Sequence, residues 1–136
     1  MIRVVSDPIS PQAVIDEVKT LGSGCVATYV GLIRDNSHGK RVRSVEYEDV
    51  AAHAADVLSD IADDVKRRWQ IEDIGIVHRT GKLKIGDVNF MVAVAAAHRG
   101  EGFAACQYVV DQFKDRLPTR KTETYTDGTT AVEGKL

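Results

Sequence analysis

Val88-Asn89-Phe90-Met91-Val92-Ala93-Val94-Ala95-Ala96-Ala97 is apolar at every position but Asn89, and His98-Arg99-Gly100 follows it without a break. A run with no polar alternation suits a strand covered on both faces, so it belongs at the centre of a sheet. Downstream, Phe103, Cys106, Val110, Phe113 and Leu117 recur at helical spacing before Pro118, which predicts a helix over about Glu101–Leu117. Upstream, Ile74-Gly75-Ile76-Val77-His78 reads as a neighbouring strand. Gly81 and Gly86-Asp87 then punctuate a hairpin-like connection into the central run.

Farther out, Ala51, Ala54, Ala55, Leu58, Ile61, Ala62, Val65 and Trp69 mark an amphipathic helix with an acidic outer face. Cys25–Ile33 is a strand with apolar residues on both faces, and Ser44–Val50 is another, with Val45 and Tyr47 sharing a face. Between them Asp35-Asn36-Ser37-His38-Gly39-Lys40 has the composition of an exposed, mobile loop. Ile2–Val5 suits a short strand, Ser10-Pro11 starts a helix that Gly22 and Gly24 end, and Thr122–Tyr125 and Thr129–Val132 form a terminal hairpin around Asp127-Gly128. No repeat or linker interrupts the 136 residues. The expectation is one α+β domain over 1–136, two-layered, with helices packed on a mainly antiparallel sheet.

The formal net charge of −2 excludes a generally basic nucleic-acid binder. Charge is uneven, however: residues 34–43 are basic and the stretch after them acidic, which leaves room for a small anionic ligand. Phe90–Ala97 is far shorter than the ~20 apolar residues a membrane helix needs. The N-terminus lacks the basic-then-apolar pattern of a secretory signal, so a cytoplasmic location is expected. Cys25 and Cys106 form no C-x-x-C pair and have no histidine at metal-ligand spacing, so both read as small buried hydrophobes, and no metal or cofactor is expected.

Four cations frame the last predicted helix: His98 and Arg99 before it, Lys114 in its last turn, and Lys121 beyond it. At ~1.5 Å per residue, Arg99 and Lys114 stand roughly 22 Å apart along the axis. A single anion site using all four therefore needs a symmetric dimer, with His98 and Arg99 of one copy facing Lys114 and Lys121 of the other. Solvated helix-end charges are the simpler alternative. Arg34 and Arg99 end long apolar strands, which holds their backbones while their planar guanidinium groups stay available for a phosphate. Gly100 admits a ligand to the N–H groups that open the helix, whereas His98 could instead cap a core strand. Lys114 and Lys121 are the catalytic candidates, since an ammonium stabilises a developing oxyanion or passes a proton. A lysine favoured by the helix dipole is the competing account of Lys114. Arg116 and Arg120 read as solvated neighbours, and His78-Arg79 as structural. No nucleophilic triad, phosphate loop or dinucleotide fingerprint is present, and neither His78 nor His98 has a local carboxylate to make a hydrolase.

Taken in order and spacing, Thr28-Tyr29-Val30-Gly31-Leu32-Ile33-Arg34, Glu46-Tyr47, His78-Arg79-Thr80-Gly81-Lys82-Leu83, Gly86-Asp87, Ala97-His98-Arg99, Lys114-Asp115-Arg116-Leu117-Pro118 and Lys121 closely resemble the large, catalytic subunit family of molybdopterin synthase. The resemblance spans about residues 2–133 and implies a hammerhead-like fold. It also implies an enzyme of molybdenum cofactor biosynthesis that converts cyclic pyranopterin monophosphate (precursor Z) to molybdopterin. Sulfur would arrive as a thiocarboxylate on the C-terminal glycine of a small ubiquitin-like carrier subunit. The large subunits would form a homodimer at the centre of a heterotetramer.

Carried over by position, Leu32, Ile33, Arg34, Lys121, Thr122 and Glu123 match substrate-contacting positions, His98 and Arg99 match those lent by the second copy, and Lys114 and Lys121 match the essential lysines. Two departures stand out. Thr119-Arg120 replace an aromatic pair common before the second lysine, and Leu32 replaces a common basic residue, which would shift phosphate contacts onto Lys40 or Arg41. A non-catalytic binding module for a phosphorylated pterin or nucleotide is the alternative reading.

Overall fold

In the computed structural model, which describes residues 1–134, the apolar run forms β7 (Val88–Ala96), an interior strand buried continuously from Phe90 to Ala96. It is paired antiparallel on one side with β5 (Asp73–Arg79) and on the other with β2 (Cys25–Leu32), while β1 (Ile2–Val5) runs parallel to β5 and closes the sheet. Alternation along β7 sends its side chains into two cores. Phe90, Val92 and Val94 meet Leu58, Ile61 and Val65 of α2 (Ala54–Arg68) and Ala105, Val109 and Phe113 of α3 (Arg99–Arg116). Met91, Ala93 and Ala95 meet Val14 and Val18 of the short α1 (Pro11–Val18), whose N-cap Ser10 accepts a hydrogen bond from the Ala13 N–H. The α+β class and the mainly antiparallel pairing follow expectation; the short α1 adds helical cover on the face opposite α2 and α3.

A second sheet was not anticipated. β4 (Lys40–Glu48) lies at its middle, pairing with the two-residue β3 (Asn36–Ser37), with β6 (Gly81–Lys84) and with β8 (Arg120–Tyr125), and β8 pairs with β9 (Thr130–Gly134). The expected terminal hairpin is therefore present and longer than its sequence signal, with Gly128 at φ 86° in the turn. Ile33, Val42, Val45, Tyr47, Leu83 and Tyr125 form this sheet's own core.

Several local expectations change. Gly81–Asp87 is no hairpin between β5 and β7: β6 leaves the first sheet and joins β4, because Leu83 fills the second core instead. Residues 35–40, expected as a mobile loop, fold as a tight turn between β3 and β4, with His38 at φ 52° and Gly39 at φ 74°, the left-handed pair a two-residue hairpin favours. The second helix begins at Ala54 rather than Ala51, after a turn in which Ala52 takes φ 55°. On α3 the buried stripe is Gly102, Ala105, Cys106, Val109 and Phe113; Phe103, expected in the core, is 67% exposed. The residue that does face β2 there is Gly102, where a Cβ would sit 3.2 Å from the Cys25 sulfur, so small size rather than bulk marks the packed side.

Candidate functional site

The seam between the two sheets opens into a cavity of about 250 Å³. One wall is the end of β2 and the residues after it: Tyr29, Gly31, Leu32, Ile33 and Arg34. Ile33 is pinned there, its N–H donating to the Asp87 carbonyl (3.0 Å) and its carbonyl accepting from the Gly86 N–H (2.9 Å). Arg34, one residue on, is exposed. The floor comes from the second sheet, where register sets Tyr47 opposite Lys121 and Val45 opposite Glu123. Lys114 enters from the last turn of α3, directly after the buried Phe113.

Polar groups fix this geometry. Glu123 is 8% exposed and its Oε1 accepts from the Ser37 hydroxyl (2.9 Å) and the Tyr125 hydroxyl (3.1 Å), with His38 Nε2 at 3.7 Å. The β3–β4 turn is thereby fastened to the cavity wall. Asn89 Nδ2 donates to the Tyr47 hydroxyl oxygen (2.8 Å), and burial pushes the Tyr47 hydroxyl up to about 12, so it stays neutral. Among the described residues, Asn89 Oδ1 is buried without a hydrogen-bond partner. A Cβ on Gly31 would lie 2.8 Å from that oxygen and 3.2 Å from the Tyr29 ring, so only glycine lets β2 and the Asn89 amide approach this closely.

Behind the cavity, His78 is fully buried, with Nδ1 2.9 Å from the Asn89 carbonyl and Nε2 2.9 Å from the Thr119 hydroxyl. A carbonyl only accepts, so Nδ1 carries the proton and the Thr119 hydroxyl donates to Nε2. Burial holds the His78 pKa below its ordinary value. The histidine is structural, as expected. Thr119 is thus a buried donor, while Arg120 pairs with Glu48 at 2.6 Å. Burial pushes the Cys106 thiol up to about 11, and neither cysteine lines the cavity.

Of the expected site residues, Leu32, Ile33, Arg34, Lys114, Lys121 and Glu123 line one cavity. Thr122 does not line it; strand alternation turns its side chain to the opposite face of β8 from Lys121 and Glu123. His98 and Arg99 lie at the far end of the 18-residue α3, and His98 lines a separate depression with Glu72 and Glu101. Lys40, expected to inherit phosphate contacts, is engaged elsewhere: it pairs with Asp127 (3.3 Å), donates to Thr129 (2.9 Å) and sits over the Tyr125 ring. Tyr29, Ser37 and Asn89 were missed. For Asn89 a signal existed, as the one polar residue interrupting the apolar run.

A second cavity, of about 320 Å³, lies between the end of α3 and β9 and is lined by Lys114, Asp115, Arg116, Leu117, Glu133 and Gly134. Lys114 borders both cavities. Three cations, Arg34, Lys114 and Lys121, line the first cavity with one buried carboxylate, Glu123, an arrangement suited to an anionic ligand and to a reaction that builds negative charge.

A family model described as MoaE protein matches residues 4–116. The molybdopterin synthase catalytic subunit of Halalkalibacterium halodurans is 32% identical over 133 residues, covering 98% of this chain and 85% of its own. The crystal structure of molybdopterin synthase from Staphylococcus aureus superposes at TM-score 0.90 with 27% identity, covering 98% of this chain and 97% of that one. A protein–protein complex of subunits 1 and 2 of molybdopterin-converting factor from Helicobacter pylori shares the fold at TM-score 0.74 and 14% identity, covering 92% of this chain and 86% of that one.

Proposed function

The chain belongs to the MoaE family of molybdopterin synthase catalytic subunits, enzymes of molybdenum cofactor biosynthesis, and from that membership we propose that it transfers sulfur from a carrier thiocarboxylate to precursor Z. The observation that carries the reading is the meeting of Lys114, from a helix end, with Lys121, from the second sheet, and Arg34, from the segment just beyond β2, around one cavity.

In this reading Arg34 and the backbone at Leu32 and Ile33 hold the substrate phosphate, with Glu123 fixing the floor and Thr122 contributing through its backbone. The thiocarboxylate sulfur attacks a side-chain carbon of the pterin, forming a C–S bond as the C–O bond at that carbon breaks and its oxygen departs protonated, with the sulfur still joined to the carrier as a thioester; a second carrier repeats the step at the adjacent carbon. Water then cleaves the thioester, leaving sulfur on the pterin and a carboxylate on the carrier. Lys114 holds the tail and stabilises the tetrahedral oxyanion, and Lys121 polarises the pterin side chain or protonates its leaving oxygen.

The partner is a small ubiquitin-like subunit, in keeping with the two-subunit complex from Helicobacter pylori. His98 and Arg99 reach the cavity from a second copy, which makes a homodimer inside a heterotetramer. The chain acts as one domain over 1–136, of which residues 135 and 136 lie outside the described residues. It works in the cytoplasm; among the described residues no helix is long and apolar enough to cross a membrane.

Mixing the chain with thiocarboxylated carrier and precursor Z should yield the dithiolene product. Tight substrate binding with no product would favour the binding-module alternative instead.

A further inference from the structure

Tyr47, Lys121 and Glu133 lie side by side in one row across β4, β8 and β9. Within it Lys121 Nζ stands 3.5 Å from Glu133 Oε1, with the lysine side chain 25% exposed and the glutamate 60% exposed. Glu133 also lines the second cavity, beside Lys114, for which no ion pair is found among the described residues. The first cavity's lysine is thus held by a carboxylate that stands in the second.

We propose that Glu133 is a resident stand-in for the carrier's terminal group: it neutralises Lys121 until the tail, entering past Lys114, displaces it. This inference rests on the proposed function, which supplies the carrier ending in a glycine thiocarboxylate. The chemistry matches on each point. The displaced and arriving groups are both single negative charges with oxygen acceptors, so Lys121 exchanges one partner for another without losing its charge. Exposed ion pairs are weak, so Glu133 yields readily and turns to solvent. Once sulfur has left, the carrier tail is a carboxylate, and Glu133, tethered at high effective concentration, competes to return. The same contact then speeds release of the spent carrier. A cross-strand pair that merely steadies the terminal hairpin would do none of this.

The experiment follows the Lys121 side-chain nitrogen and Cε resonances by NMR in the whole chain, assigned with Lys121→Arg. The probe is N-acetylglycylglycine, a tail mimic with a free carboxylate, and the control is its uncharged amide. Glu133→Gln and Glu133→Ala should each respond to the acid at a concentration about two- to five-fold lower than the native chain does, the range expected for losing an exposed ion pair. The amide should move none of them. Equal or weaker response in the two variants overturns the inference and leaves the proposed function standing. No response to the acid in any chain likewise overturns the inference, and product formation from carrier and precursor Z decides the proposed function separately.

Discussion

The Thr119 hydroxyl lies 2.9 Å from His78 Nε2, so the residue two before Lys121 satisfies a buried imidazole behind the first cavity. The other ring nitrogen is taken by the Asn89 carbonyl, and Tyr47 and Phe113 pack edge-on against the ring at centroid distances of 4.9 and 5.0 Å. Neutral histidine fits this site and imidazolium does not, because burial disfavours the charged form.

Stability should therefore depend on pH in a stated direction. The His78 pKa is lowered in the folded chain, so below the ordinary histidine value of about 6.5 the unfolded chain binds the proton and the folded one resists it. The contribution is complete above that pH and is lost as pH falls from it towards the folded pKa. Urea unfolding between pH 5 and 7.5 should show stability falling on the acid side, and His78→Gln should flatten that slope. Thr119→Val keeps shape and removes the donor, at a cost of about 1–3 kcal/mol for an unsatisfied buried acceptor. A Thr119→Val chain as stable as the native one would deny the hydrogen bond its role.

Lys114→Ala and Lys121→Ala should each bind the carrier and lose turnover by roughly a hundredfold or more, the scale of losing a group that stabilises a developing oxyanion. Carrier binding by calorimetry separates this from a docking defect. Wild-type rates in either variant would remove that lysine from the chemistry.

Sharing of the site between two copies is testable by complementation. Arg99 and Lys114 sit at opposite ends of α3, so a dimer of Arg99→Ala with Lys114→Ala subunits holds one site with both defects and one with neither. Such mixed dimers should recover up to half of native activity, while each variant alone stays inactive. Recovery at the background level would count against a site shared between two copies.

Phe103 and Phe113 offer a direct check of which side of α3 is packed. Phe113→Ala removes a ring stacked 3.7 Å from Phe90 and should cost about 3–5 kcal/mol. Phe103→Ser, at a position 67% exposed, should change monomer stability by no more than about 0.5 kcal/mol. Denaturant midpoints of the two variants decide it.

The same pair shows what the sequence could carry. Periodicity found α3 and Phe113, but it weighted bulk, and the packed side is marked instead by Gly102 and Ala105, whose small size lets the helix lie close to β2. The central strand was legible because a run apolar on both faces has nowhere else to go. The second sheet was not, because β4 pairs with segments far away in the chain, Glu48 with Arg120 and Ser44 with Lys84, and no local pattern encodes such partners. Candidates carrying charge stood out: Arg34, Lys114 and Lys121 line one cavity, whereas His98 and Arg99 lie at the other end of α3. Tyr29 and Asn89 did not, since their place depends on the approach of β2 to β7, which only Gly31 permits.

That long-range pairing bears on how the protein comes to be made. β8, the strand that carries Lys121, is synthesised well after the β4 it pairs with, and closing so long a loop is entropically slow. Until β8 docks, Val45 and Tyr47 have no partner on that side and form an unpaired apolar edge. A nascent chain is therefore prone to aggregate until β8 docks, at which point Lys121 reaches the cavity and that edge is shielded in one step.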